Sequence, residues 1–154
     1  MLRIIFAVVL TVVSLGTISA QTGAARAKTY NLSGNKVAIE GYDPVAYFTT
    51  HRAIKGKSTI AYTYEGVTYN FANAQDMAIF KANPTQYEPQ YGGWCAYAMG
   101  EYGTKVDVDP GTFIIVKGKL YLFYNQLLTN TLTSWNKNEA ALLPKADKNW
   151  AKAN

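Results

Sequence analysis

Cys95 is the only cysteine of this 154-residue chain and His51 its only histidine, so thiol, imidazole or soft-metal chemistry has to run through them. Cys95 lies in the stretch YGGWCAYAMG, and Met99 follows at a spacing of four, which on a helix projects both side chains from one face. A thiolate beside a thioether favours Cu(I), and His51, arriving from a loop, would complete a nitrogen–sulfur set of the copper type: Cys95, Met99 and His51. The same residues serve packing equally well, because cysteine is among the most buried residue types and methionine fills core gaps. A thiol-dependent enzyme or redox protein using Cys95 is the alternative chemistry, and it needs a lowered thiol pKa together with a base that meets the sulfur in space. Around Cys95 the rings of Tyr91, Trp94, Tyr97 and Tyr102 concentrate, and with it they form the candidate lining of a pocket for a planar or apolar ligand. No complete catalytic constellation is present. Asp107 and Asp109 in DVDPG lack the later oxygen ligands of a calcium loop and read as a turn. Glu40, Asp43 and Glu101 show no spacing that pairs them.

These residues must be positioned by short elements. KVAIEGYDPVAYF opens with a strand-like run, after which Asp43-Pro44 starts a single helical turn with Asp43 as its cap. His51 sits in the polar loop THRAIKGKS. In STIAYTYEGVTYNFA, Ile60, Tyr62 and Tyr64 alternate with polar or small residues, as do Val67, Tyr69 and Phe71, which predicts a hairpin turning at Glu65-Gly66. Asn73 then caps a helix over AQDMAIFKAN that ends before Pro84. WCAYAMGEYG reads as a short helix stopped by glycine. TFIIVKGKLYLFY predicts a second hairpin, with its turn at Lys117-Gly118. The tail from Asn125 onward is helical in pattern, with Leu143, Asp147 and Trp150 on one side and Pro144 beginning or kinking a helix. The expected architecture is α+β: a small, mainly antiparallel sheet of two hairpins with short helices packed on it.

The chain begins MLRIIFAVVLTVVSLGTISAQ, an arginine followed by an apolar run and small residues, which reads as a signal peptide over residues 1–20 rather than a stable membrane anchor. Residues 21–35, small and polar, read as a flexible lead-in, and residues 36–154 as one domain. The expected location is periplasmic or secreted. A single cysteine there forms no internal disulfide. The net charge of +5 is carried by scattered basic residues, the nearest thing to a stripe being Lys145, Lys148 and Lys152. Nucleic-acid binding would want a dense basic patch with interleaved aromatics, so no nucleic acid is expected as partner.

The blocks GYDPVAYF, YTYEGVTYNF, FKANPTQYEPQYGGWCAYAMG, GKLYLFYN and ADKNW resemble, in order, the exported YHS-domain proteins of bacteria, from Gly41 to Trp150. The resemblance implies a compact α+β domain. Other branches of that family carry two cysteines four apart where this chain has Ala72 and Asp76, and the tyrosine-histidine-serine signature is replaced here by Tyr69, Asn70 and Phe71. The metal site of those branches is therefore absent. The expectation is an exported, non-catalytic binding or accessory module of the YHS type, related to copper through Cys95, Met99 and His51 if to any cofactor. Its partner would be a small ligand, a metal ion or an envelope protein. The alternatives are the thiol-dependent protein and a structural protein-interaction domain.

Overall fold

The computed structural model describes residues 16–153, so residues 1–15 of the expected signal peptide lie outside the described residues. Helix α1 spans Gly16–Thr29 and is followed by the short strands β1 (Leu32–Ser33) and β2 (Val37–Ala38). The segment expected as a flexible lead-in is thus structured. Arg26 reaches two carboxylates, Glu65 at 2.6 Å and Glu88, and the backbone N–H of Asn31 donates to Gly92 O at 2.9 Å. A small polar segment orders here because its one arginine and its backbone find partners on the domain, which composition does not report.

Asp43 turns the chain into α2 (Ala46–Thr49): its Oδ1 accepts from the N–H groups of Val45 and Ala46, and Pro44 follows it as expected of a helical start. Strands β3 (Lys57–Tyr64) and β4 (Val67–Phe71) form the first expected hairpin, with Glu65 (φ 43) and Gly66 (φ 81) as its turn. Positive φ at both central residues matches the right-handed twist of the strands. Gly66 is also closed to substitution by α1, since a Cβ there would lie 2.4 Å from Gly23 O. Helix α3 (Ala74–Ala82) starts at the expected cap, the Asp76 N–H donating to Asn73 Oδ1 at 2.8 Å while Asn73 Nδ2 donates back to Asp76 Oδ2 at 2.9 Å. Pro84 then opens a separate turn of helix, α4 (Pro84–Tyr87).

The second expected hairpin pairs β5 (Asp109–Val116) with β6 (Lys119–Phe123). It is not in one sheet with the first. A four-stranded sheet runs β1-β2-β4-β3, with β2 and β4 parallel, and β5-β6 stands as a separate two-stranded sheet. The single sheet of two hairpins is corrected to that extent: β4 spends its second edge on β2, which the first hairpin's local pattern does not reveal. A third, two-stranded pair, β7 (Asn125–Gln126) and β8 (Thr129–Asn130), replaces the expected start of the tail helix. Its turn is Leu127-Leu128. Helix α6 (Thr131–Ala153) follows, broken in its dihedrals at Asn138 rather than at Pro144, through which it continues.

Two packed clusters lie on either side of β6. Successive strand residues point to opposite faces, so Leu120 and Leu122 join Tyr47, Tyr69, Phe71 and Phe80, whereas Tyr121 and Phe123 join Trp135, Leu142 and Ala146. Helix α5 (Ala96–Glu101) is shared in the same way, with Ala98 in the first cluster and Ala96 and Met99 in the second. The result is a mixed α/β domain of several short helices and small, mainly antiparallel sheets. Among the described residues no helix is long and apolar enough to cross a membrane.

Candidate functional site

Cys95 is fully buried and precedes α5 instead of lying in it: its backbone (φ −57, ψ 118) is non-helical and the helix begins at Ala96. That placement removes the shared face expected for Cys95 and Met99, because a spacing of four aligns side chains only when both residues are helical. Cys95 packs in the first cluster and Met99 in the second. His51 is on the exposed loop after α2 with φ 52. Cys95, Met99 and His51 are therefore not assembled as a ligand set. Among the described residues no three or more His, Cys, Asp or Glu side chains are grouped so that they could hold a metal ion.

The Cys95 sulfur has two hydrogen-bonding neighbours of its own. The Tyr124 N–H donates to Sγ at 3.4 Å, and Sγ lies 3.4 Å from Thr131 Oγ1. Thr131 Oγ1 donates its own hydrogen to Tyr124 O at 2.9 Å, so its lone pair is left to accept from the thiol. The three groups close a cycle that ties the end of β6 to the first residue of α6. No imidazole or carboxylate takes part.

Beside this cycle is a cavity of about 250 Å3, lined by Cys95, Tyr97, Ala98, Tyr102, Val106, Tyr124, Thr129 and Thr131. Almost all of its surface is apolar. Cys95 is the fully buried member of this lining, and Tyr102, 66% exposed and edge-on to Tyr97 with ring centroids 6.1 Å apart, stands at the rim. Three of the five expected lining residues, Cys95, Tyr97 and Tyr102, are thus brought together. The other two are not. Trp94 donates Nε1–H to Thr29 O at 2.7 Å and anchors the end of α1. Tyr91 lines a second cavity of about 230 Å3 with Tyr30, Glu88, Asp147 and Trp150.

Tyr91, at φ 55 in the 3-10 turn Gln90–Gly93, donates its hydroxyl to Asp147 Oδ1 at 2.9 Å. Burial, with the Asp147 carboxylate beside it, pushes the Tyr91 phenol well above its ordinary range. Gly92, the first of the two glycines after Tyr91, serves close packing: a Cβ there would meet Tyr30 at 2.8 Å and Trp150 at 2.9 Å. Glu88 is the deepest charge of this region. Its Oε1 accepts from Tyr69 OH at 2.6 Å and pairs with Arg26, and burial still holds its carboxyl above the usual range against the pull of both partners. Burial alone would lower the Arg26 guanidinium, but Glu88 and Tyr30 beside it raise it on balance and keep it charged.

Tyr124, Thr129 and Thr131 carry no local motif in the sequence, because they come to the Cys95 cavity from 29 or more residues downstream. Asp147 and Trp150 did leave a signal, the shared side of the tail helix. Fold and site together define a mixed α/β domain carrying a compact apolar cavity with a buried cysteine in its lining. No family model, no curated protein and no solved structure matches the chain.

Proposed function

We propose that this chain is an exported, non-catalytic binding module of the YHS type whose ligand is a compact apolar or aromatic molecule. The observation that carries the reading is the apolar cavity beside Cys95, walled by Tyr97, Ala98, Val106 and Tyr124 and rimmed by Tyr102. Binding pockets are concave and mainly apolar with few polar groups, and those for drug-sized ligands span about 300–1,000 Å3. At about 250 Å3 this cavity suits a single ring or a short chain. The thiol and the Thr131 hydroxyl are the polar groups that would orient such a ligand. The YHS assignment rests on the blocks quoted above, whose Asp43, Tyr47, Tyr69, Phe71 and Phe80 supply the buried framework around the first cluster. A periplasmic or secreted location rests on the leader, and removal of residues 1–20 would leave Arg26 and its ion pairs in the mature chain.

Equilibrium binding of p-cresol, a one-ring probe, tests the reading. Thr129→Trp at the exposed rim should block entry without disturbing the core and abolish saturable binding. Undiminished binding by that variant would place the ligand elsewhere.

The thiol-dependent alternative has one observation in its favour, that Cys95 lines the cavity. It lacks a base, since the groups at the sulfur are the Tyr124 amide and the Thr131 hydroxyl.

A further inference from the structure

The second cavity differs from the first in its chemistry. Three rings, Tyr30, Tyr91 and Trp150, wall it, and its charged lining residues are two carboxylates, Glu88 and Asp147, with no lysine or arginine among the described lining residues. Trp150 meets Tyr30 at a centroid distance of 6.1 Å and 57°, and Tyr91 at 6.5 Å and 68°, so the rings form one continuous angled wall. Gly92 packs against that wall so closely that a Cβ there would lie 2.8 Å from Tyr30 and 2.9 Å from Trp150.

Each carboxylate is half used. Glu88 gives Oε1 to Tyr69 and Arg26, and Asp147 gives Oδ1 to Tyr91, while among the described residues Glu88 Oε2 and Asp147 Oδ2 take no hydrogen bond. The Glu88 charge is answered by Arg26, but no described cation lies within ion-pair distance of Asp147. The cavity therefore presents at its exposed side a carboxylate, Asp147, with no described ion-pair partner, against aromatic faces. A ring quadrupole attracts cations, and Trp150 already receives one from outside the cavity, the Lys105 ammonium at 5.8 Å from its centroid.

We propose that this cavity binds a small organic cation, a primary or secondary alkylammonium whose N–H groups reach Glu88 Oε2 and Asp147 Oδ2 and whose stem lies on the Tyr30, Tyr91 and Trp150 wall. An anion would meet two carboxylates, and a neutral molecule would leave Asp147 unanswered. The assignment is independent of the apolar cavity beside Cys95.

Titration with n-butylammonium chloride, followed through the backbone amide resonances of Tyr91 and Trp150, tests the site. n-Butanol and sodium butyrate at matched ionic strength are the controls. The expected result is a saturable shift with the ammonium ion and none with either control. Asp147→Asn, which keeps an acceptor for the Tyr91 hydroxyl, should weaken binding about tenfold or more, the scale of one charged hydrogen bond. Trp150→Phe, with a weaker ring face, should weaken it severalfold. Native-like amide dispersion in both variants would show that they fold, and absence of p-cresol binding by the wild type would sink the apolar-cavity reading and not this one. No saturable shift, equal shifts with n-butanol, or full affinity in folded Asp147→Asn overturns the proposal.

Discussion

The Asp43 carboxylate is fully buried and accepts N–H groups from Val45 at 2.8 Å, Ala46 at 3.3 Å and Ala72 at 2.8 Å. Burial pushes its carboxyl up from 3.8 to about 6, against the Ala72 and Val45 N–H groups that pull it down and with the Asp76 carboxyl adding to the rise. Because the folded-state pKa lies above the unfolded one, the native state binds more protons between these values, so this group's contribution to stability is greatest in acid and declines as pH rises from about 4 to about 6. Urea unfolding across that window should show a downward slope that Asp43→Asn removes. A wild type and variant with parallel pH profiles would contradict the account. The variant should also be less stable by about 1–3 kcal/mol, since one amide group now faces a backbone N–H that it cannot accept. Arg26 and Glu88 pose the complementary case, with only 16% and 12% of their side chains exposed. Arg26→Ala strands the carboxylate and should cost about 3 kcal/mol, and adding Glu88→Gln should restore part of it, as a double-mutant cycle would measure.

At the scale of elements, local chemistry decides what can be read ahead of the fold. Asn73 as a cap and the turns at Glu65-Gly66 and Lys117-Gly118 are legible because each satisfies its backbone with its own side chain or with positive φ. The turn at Leu127-Leu128 is illegible for the opposite reason. Both leucines have positive φ, 50 and 65, and are 90% and 109% exposed, where Asn-Gly would be the favoured pair. Leu127→Asn with Leu128→Gly should therefore raise stability by about 1 kcal/mol or more in thermal unfolding. A loss would mean that the leucines make contacts that the free tip does not reveal. Where α5 crosses α6, a Cβ on Gly100 would lie 2.9 Å from Leu142 O, backbone that cannot swing aside. Gly100→Ala should cost about 1–3 kcal/mol, read as a lowered denaturant midpoint.

For the molecule as a whole, one segment that reads as a unit in the sequence is divided by the fold. Tyr91, Trp94, Cys95, Tyr97 and Tyr102 read as one lining, yet the bends at Tyr91, Gly92 and Cys95 send them to two cavities and to the Thr29 carbonyl. No periodicity anticipates that, because none of these three residues is in regular helix. The remaining walls come from Tyr124, Thr129 and Thr131 on one side and Tyr30, Glu88 and Trp150 on the other, placed by long-range packing on β6 and α6. The central claim is that the cavity beside Cys95 is a ligand site, and intermolecular NOEs from p-cresol to the protein test it most directly. The account predicts NOEs to Cys95 Hβ and to the methyl groups of Ala98, Val106 and Thr131, lost in Thr129→Trp. NOEs confined to other residues, or none at saturating probe, would contradict it.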